Sequence, residues 1–168
     1  MQHRSHLMYF LLIVFFLISV SPVYAENGDA SNLPVSKPQT LGKAAVLIDA
    51  SSGRVLYEAN AHQQLPPASV TKIMTGLLVV EKGNLNQKVT VSQTAADTPE
   101  CSIWLEAGEK LTREQLLYAC MLNSANDAAM ELAESIAGSE QAFVKLMNRR
   151  ARQLGLKDTH FCNTHGLE

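Results

Sequence analysis

The chain has 168 residues and a formal net charge of −2, a length that bounds it to one domain or part of one. No block of like charge and no basic stripe interleaved with aromatics occurs along it, which excludes the nucleic-acid-binding class. Cys101, Cys120 and Cys162 are an odd number at wide spacings, so neither a disulfide framework nor a CxxC metal or redox centre is indicated; a single bridge stays open.

His3, Arg4 and His6 form a weakly basic head before LMYFLLIVFFLISV, a run of fourteen almost wholly apolar residues, and Val23-Tyr24-Ala25 offers a cleavage site. This is the layout of a secretory signal peptide over 1–25. The apolar run is short of the roughly 18–20 residues that a membrane-spanning helix needs. Removing the peptide leaves 168 − 25 = 143 residues and a net charge of 13 − 16 = −3, because only Arg4 is lost. That is enough chain for a modest core.

Residues 26–41 (ENGDASNLPVSKPQTL) are rich in Ser, Asn and Pro and read as a flexible leader, with the folded part over 42–168. AAVLIDA and RVLYEA flank Ser51-Ser52-Gly53 and predict a β-hairpin. Its first run is apolar on both faces, as in a strand covered on both sides. The loop HQQLPP leads to SVTKIMTGLLVVEK, a helix with Val70, Ile73, Met74, Leu77, Leu78, Val79 and Val80 on most of its faces, ending near Gly83-Asn84. Such a helix belongs in the middle of a protein.

QKVTVSQ (87–93) reads as a short strand and 94–109 as irregular, with Trp104 expected to pack inward. Thr112 and Gln115 fit a capping box that opens a helix bearing Leu116, Leu117, Cys120 and Met121. Cys120, on the apolar face, reads as a small core residue. NSAND interrupts, a second helix runs from about Asp127 to Ile136 before Gly138, and Ser139 caps a third. The apolar face of the third is Phe143, Leu146, Met147 and Leu154, closed by Gly155. Two strands followed by helices make an α+β layout whose sheet has only begun.

Ser69 and Lys72 are the chemical anomaly. At i and i+3 of a helix they share a face and can touch. At its first turn the free N–H groups and the positive dipole end favour negative charge on an attacking oxygen. A lysine against an apolar wall has a lowered pKa, which makes the pair an activated nucleophile. Taken alone, the pair is more simply a helix-start serine and a snorkelling lysine. Ser124 and Asn126, at the junction of two helices, are placed to relay a proton and to hold a substrate amide; ordinary capping explains them too.

Together, however, SxxK and SxN stand 55 residues apart behind a signal peptide, two of the three elements that mark penicillin-binding proteins and class A β-lactamases. PASVTK followed by IMT, SAN followed by DAA, and the tract from GSEQAFVKLMNRRARQLGLKDTHF to HGL resemble the low-molecular-weight penicillin-binding proteins. More narrowly, they resemble the serine D-alanyl-D-alanine carboxypeptidases, over nearly all of 42–168. The resemblance implies an α+β, penicillin-binding-protein/β-lactamase-like fold, a helical subdomain beside an antiparallel sheet. It implies Ser69 as nucleophile, Lys72 as general base, Ser124 as proton relay and Asn126 as substrate-binding residue. The implied partners are peptidoglycan stem peptides ending in D-Ala-D-Ala and β-lactams, with no cofactor and no metal. The implied location is the cell envelope, at the outer face of the cytoplasmic membrane or in the periplasm.

The third element of the pattern is absent: none of the eight lysines is followed by Thr-Gly. In the family that KTG strand forms one wall of the cleft, so the chain reads as the N-terminal part of such an enzyme. The resemblance does not extend to the β-rich C-terminal domain and amphipathic membrane anchor of many relatives. A serine β-lactamase of the same fold is the alternative; it needs a further glutamate to activate the deacylating water, and none is identifiable. A truncated, non-catalytic product that binds wall peptide is the second. His62, His160 and His165 have no HExxH or comparable spacing, which disfavours a metal hydrolase.

Overall fold

The computed structural model describes residues 37–167; the expected signal peptide over 1–25 and the expected leader up to residue 36 lie outside the described residues, and 37–41 carry neither helix nor strand. The chain divides after Ala59 into two units.

The first unit is the expected hairpin. Strands β1 (Ala45–Ile48) and β2 (Val55–Ala59) pair antiparallel, with Ala45 opposite Ala59 and Leu47 opposite Tyr57. The turn is organised by Asp49, whose carboxylate accepts hydrogen bonds from Ser51 Oγ at 2.7 Å and from Ser52 N at 2.8 Å. The Ser52 hydroxyl, which also donates to Asp49 at 2.5 Å, is foremost in holding its pKa down to about 2, followed by the Ser51 hydroxyl and the Ser52 amide. The expectation that β1 is covered on both sides is not met: Val46, Leu47 and Ile48 each keep more than half of their surface exposed. A two-stranded ribbon has two faces, and each described strand here pairs only with the other.

The second unit, from Asn60, is a helical layer with a small ribbon. A 3-10 turn over Ala68–Val70 leads into α1 (Thr71–Lys82). There follow β3 (Lys88–Thr90), α2 (Gln93–Ala96), β4 (Lys110–Thr112), α3 (Arg113–Leu122), α4 (Asn126–Ala137) and α5 (Glu140–Gln153). Leu78, Val79, Leu116, Leu132, Phe143 and Met147, all with no exposed surface, form the core where α1, α3, α4 and α5 meet. Burying each such side chain is worth about 1.5–3 kcal/mol. Cys120 sits in that core as expected, and burial raises its thiol pKa to about 11.

The helix boundaries follow their capping chemistry. Thr112 Oγ1 accepts from Gln115 N at 3.2 Å and Gln115 Oε1 from Thr112 N at 2.9 Å, completing the capping box of α3. Gly138, at φ +81°, ends α4 in the left-handed conformation that glycine adopts without penalty. Ser139 accepts from Ala142 N and starts α5.

Four expectations are corrected. Strand β3 is shorter than 87–93. It pairs with β4, a strand not foreseen because three residues carry no readable alternation and their partner lies far along the chain. Part of the stretch read as irregular is helix α2, capped by Ser92 Oγ accepting from Ala95 N. Trp104 does not pack inward but is 85% exposed. Asp127 accepts from Ser102 Oγ and from the amides of Ile103 and Leu105, which turns Leu105 into the core and leaves Trp104 outside at φ +57°. Leu154 falls beyond the last turn of α5, loses the helical register and is 46% exposed.

Helix α1 is one-sided in the same way. Met74, Leu78 and Val79 are buried while Val70, Ile73 and Val80 remain about 60% exposed. A groove of about 1150 Å³ runs along the open side, bordered by Leu65, Val70, Ile73, Leu77, Leu154 and Leu156. Among the described residues no helix is long and apolar enough to cross a membrane.

Candidate active site

The start of α1 places two functional side chains one turn apart in opposite environments. Ser69 is exposed in the 3-10 turn, two residues before α1 begins, rather than in the first turn of the helix itself as expected. Lys72 is on the first turn of α1 and only 3% exposed. Its Nζ lies 3.3 Å from Ser69 Oγ, 3.3 Å from Ser124 Oγ and 3.2 Å from the carbonyl oxygen of His165. The ammonium has three hydrogens, and three acceptors stand around it. Burial lowers the pKa of Lys72, because removing an ammonium from water penalises its charged form.

Ser124 reaches the lysine from the junction of α3 and α4. Its backbone is left-handed, at φ +57°, an uncommon conformation for a non-glycine residue and one that marks functional turns. Two residues on, Asn126 is 1% exposed. It donates its backbone N–H to Cys101 O at 2.7 Å and Nδ2 to Pro99 O at 3.0 Å. Its Oδ1 is buried and has no hydrogen-bond partner among the described residues. A buried amide oxygen without a donor is costly, and an incoming N–H would satisfy it.

A third side of the site comes from residues that sequence reasoning did not single out. Thr75, one turn beyond Lys72, donates its hydroxyl to Thr164 O at 2.7 Å. Glu140, in the first turn of α5, accepts from Thr164 N at 3.0 Å and from Thr164 Oγ1 at 2.9 Å. Gly166, at φ +85°, lies so close to the turn bearing Ser69 that a Cβ there would be 1.9 Å from Ala68 O. His165 accepts Leu167 N on Nδ1 at 3.2 Å. Burial pushes its pKa down, and the Glu140 carboxylate partly opposes this. The tract HGL had drawn notice only as part of a family pattern. Its carbonyl on Lys72 has no side-chain signature that a sequence could display.

Thus Ser69, Lys72 and Ser124 are brought together, and Asn126, the first residue of α4 and two residues beyond Ser124, is tied to the loop at 99–101. No group of three or more His, Cys, Asp or Glu side chains is placed to hold a metal ion among the described residues. The three cysteines are free, Cys101 and Cys162 exposed and Cys120 buried. Chemically, a hydroxyl beside a poorly solvated amine can be deprotonated for attack on a carbonyl, and a second hydroxyl on the same amine can carry the proton away.

Comparison with solved structures assigns the class. The chain is similar to the crystal structure of the D-alanyl-D-alanine carboxypeptidase DacD from Francisella tularensis, at 30% identity and TM-score 0.77 over 86% of this chain and 38% of that one. It also resembles penicillin-binding protein 5 from Haemophilus influenzae, at 33% identity and TM-score 0.72 over 80% and 41%. The fold is therefore that of the penicillin-binding proteins, of which the described residues form a helical part with small antiparallel ribbons. Residues 31–168 match the peptidase S11 family, D-alanyl-D-alanine carboxypeptidase, and the chain belongs to that family. D-alanyl-D-alanine carboxypeptidase DacF of Bacillus subtilis is 41% identical over 94% of this chain, and DacC of Escherichia coli is 36% identical over 87%. The chain spans 41% and 39% of the length of these two relatives.

Proposed function

We propose that this chain carries the nucleophile side of a penicillin-sensitive serine D-Ala-D-Ala carboxypeptidase acting on peptidoglycan stem peptides. The observation that carries the reading is the position of Lys72 Nζ, equidistant from two serine hydroxyls and shielded from water. The names of the family and of its relatives agree with it.

In this reading the neutral Lys72 amine takes the proton of Ser69 as Oγ adds to the carbonyl between the last two D-alanines. The tetrahedral intermediate collapses by breaking the C–N bond. Ser124 passes the proton from Lys72 to the departing amine, so that D-alanine leaves neutral at nitrogen and an ester remains on Ser69. Water attacks that ester with Lys72 again as base and releases the shortened peptide. Asn126, with its unpartnered Oδ1, receives a backbone N–H of the substrate. A β-lactam acylates Ser69 by the same first step, since its strained amide occupies the place of the scissile one. The substrate lies outside the cytoplasm, which places the enzyme in the envelope, exported by the peptide at 1–25.

The test is intact-mass analysis of the full-length protein after incubation with penicillin. The expected result is one added penicillin on the wild type, none on Ser69→Ala, and a slower gain on Ser124→Ala. Labelling retained by Ser69→Ala removes Ser69 as nucleophile. Rapid turnover of penicillin without a stable adduct would transfer the assignment to a β-lactamase.

A further inference from the structure

The orientation of the Lys72 amine is decided by a carbonyl, and that carbonyl is held by residues outside the catalytic set. A neutral amine has two hydrogens and one lone pair. The hydroxyls of Ser69 and Ser124 can each donate or accept, so neither fixes which way the amine turns. The His165 carbonyl, at 3.2 Å, can only accept. It claims one hydrogen; with the other on Ser124 Oγ, the lone pair is left facing Ser69.

What fixes the carbonyl is the residue before it. Thr164 is wholly buried and bonded on both peptide faces: its oxygen accepts from Thr75, while its N–H and its hydroxyl both donate to Glu140 Oε1. The same carboxylate oxygen stands 3.9 Å from His165 Nε2. Asn163 Oδ1 accepts from His165 N at 3.3 Å and from Gly166 N at 2.6 Å. Among the described residues Glu140 is the carboxylate that grips the tract, and hydrogen bonds to a carboxylate are about twice as strong as neutral ones.

We propose that Glu140 is a positioning residue for Lys72, holding Thr164 so that the His165 carbonyl aims the lysine amine at Ser69. The proposal rests on the carboxypeptidase reading above. It gives α5 a role in the reaction although no side chain of that helix reaches the serine.

The test is the rate of acylation of the full-length protein by a fluorescent penicillin from about pH 5 to 10, where the acid limb reports deprotonation of the base. Glu140→Ala frees the tract, and misaiming the amine lowers the plateau by about tenfold or more. It also moves the acid limb to lower pH, because an ammonium that loses an acceptor is easier to deprotonate. Glu140→Gln keeps an oxygen for Thr164 at neutral strength while removing the charge that faces His165, and is expected to stay much closer to wild type than Glu140→Ala in both plateau and limb. Thr164→Val, which removes only the hydroxyl contact, is expected to fall between and serves as the test if Glu140→Ala does not fold. The groups facing His165 are Glu140, Lys72 and Glu100, so a limb that moves equally in the Ala and Gln variants would be a charge effect and would overturn the proposal. So would an unchanged profile in Glu140→Ala, or in folded Thr164→Val. A wild type that takes up no penicillin overturns the carboxypeptidase reading itself, and the proposal with it.

Discussion

Asp127→Asn changes no volume, yet it should cost the protein a large share of its stability. The carboxylate of Asp127, wholly buried at the start of α4, accepts from four groups. Oδ2 takes Ser102 Oγ at 2.6 Å, Leu105 N at 3.0 Å and Ile103 N at 3.2 Å. Oδ1 takes Ala128 N at 2.8 Å. An amide has one oxygen and one donor group. If the oxygen keeps the Oδ2 place, the NH₂ faces the Ala128 N–H, which belongs to the helix and cannot turn away. If it is reversed, the NH₂ faces two backbone amides. The first arrangement is the cheaper.

It leaves one buried N–H unpaired, at about 1–3 kcal/mol, and weakens the remaining bonds from charge-assisted to neutral. It also removes an anion from the first turn of a helix, worth about 0.3–1 kcal/mol. A neutral amide is easier to bury than a carboxylate, which returns part of this. The net expectation is a loss of about 2–4 kcal/mol. Ser102→Ala removes a single donor from a carboxylate that keeps its backbone partners, and should cost about 1 kcal/mol. Urea unfolding of the full-length wild type and both variants at neutral pH measures the difference, provided the slopes agree. A loss below about 1 kcal/mol for Asp127→Asn would refute the view that these amides depend on the charge. The functional corollary is a loosened 99–105 loop, whose carbonyls at Pro99 and Cys101 hold Asn126.

Gly166→Ala meets a steric limit, since the new Cβ would lie 1.9 Å from Ala68 O, 2.5 Å from Ala68 C and 2.9 Å from Thr71 Oγ1. The turn bearing Ser69 must move, so stability should fall by more than the ~1–2 kcal/mol of the left-handed backbone alone and penicillin acylation should fall about 100-fold. Gly155→Ala is the control: its φ is +75° with nothing within 4 Å, so it should lose only about 1–2 kcal/mol and no acylation rate. Equal losses in the two variants would show that crowding at Ala68 is unimportant. Glu131 is buried beside Ser92 and Glu134, and burial first, then the Glu134 charge, raise its carboxyl pKa above the ordinary 4.5 while the Ser92 amide opposes them. A raised carboxyl pKa favours folding below 4.5 and gives up that advantage as pH rises through the folded value. Glu131→Gln should therefore gain stability relative to wild type over that range; a difference flat in pH by urea unfolding would refute the buried-carboxyl account.

Much of the local structure was legible. The hairpin follows from two β-type runs around Ser51-Ser52-Gly53. The start of α3 follows from Thr112 and Gln115, and the end of α4 from Gly138, because caps and turns are settled by residues within three or four positions of one another. The juxtaposition of Ser69 and Lys72 was legible for the same reason. Trp104 was misread because its direction is set by Asp127, more than twenty residues away. The β3–β4 ribbon was half missed because three-residue strands have no period to read, only a partner.

The sequence by itself determined the four longer helices, α1, α3, α4 and α5, and that a serine and a lysine lie one turn apart; all of that is short-range. Tertiary structure decided what surrounds the lysine. Ser124 lies 52 residues from Lys72 and the His165 carbonyl 93 residues from it. They arrive there because α3, α4 and α5 pack around one face of α1 and carry their ends to its first turn. The burial that lowers the lysine's pKa comes from the same packing, since desolvation is a property of the assembled core and not of any residue in it.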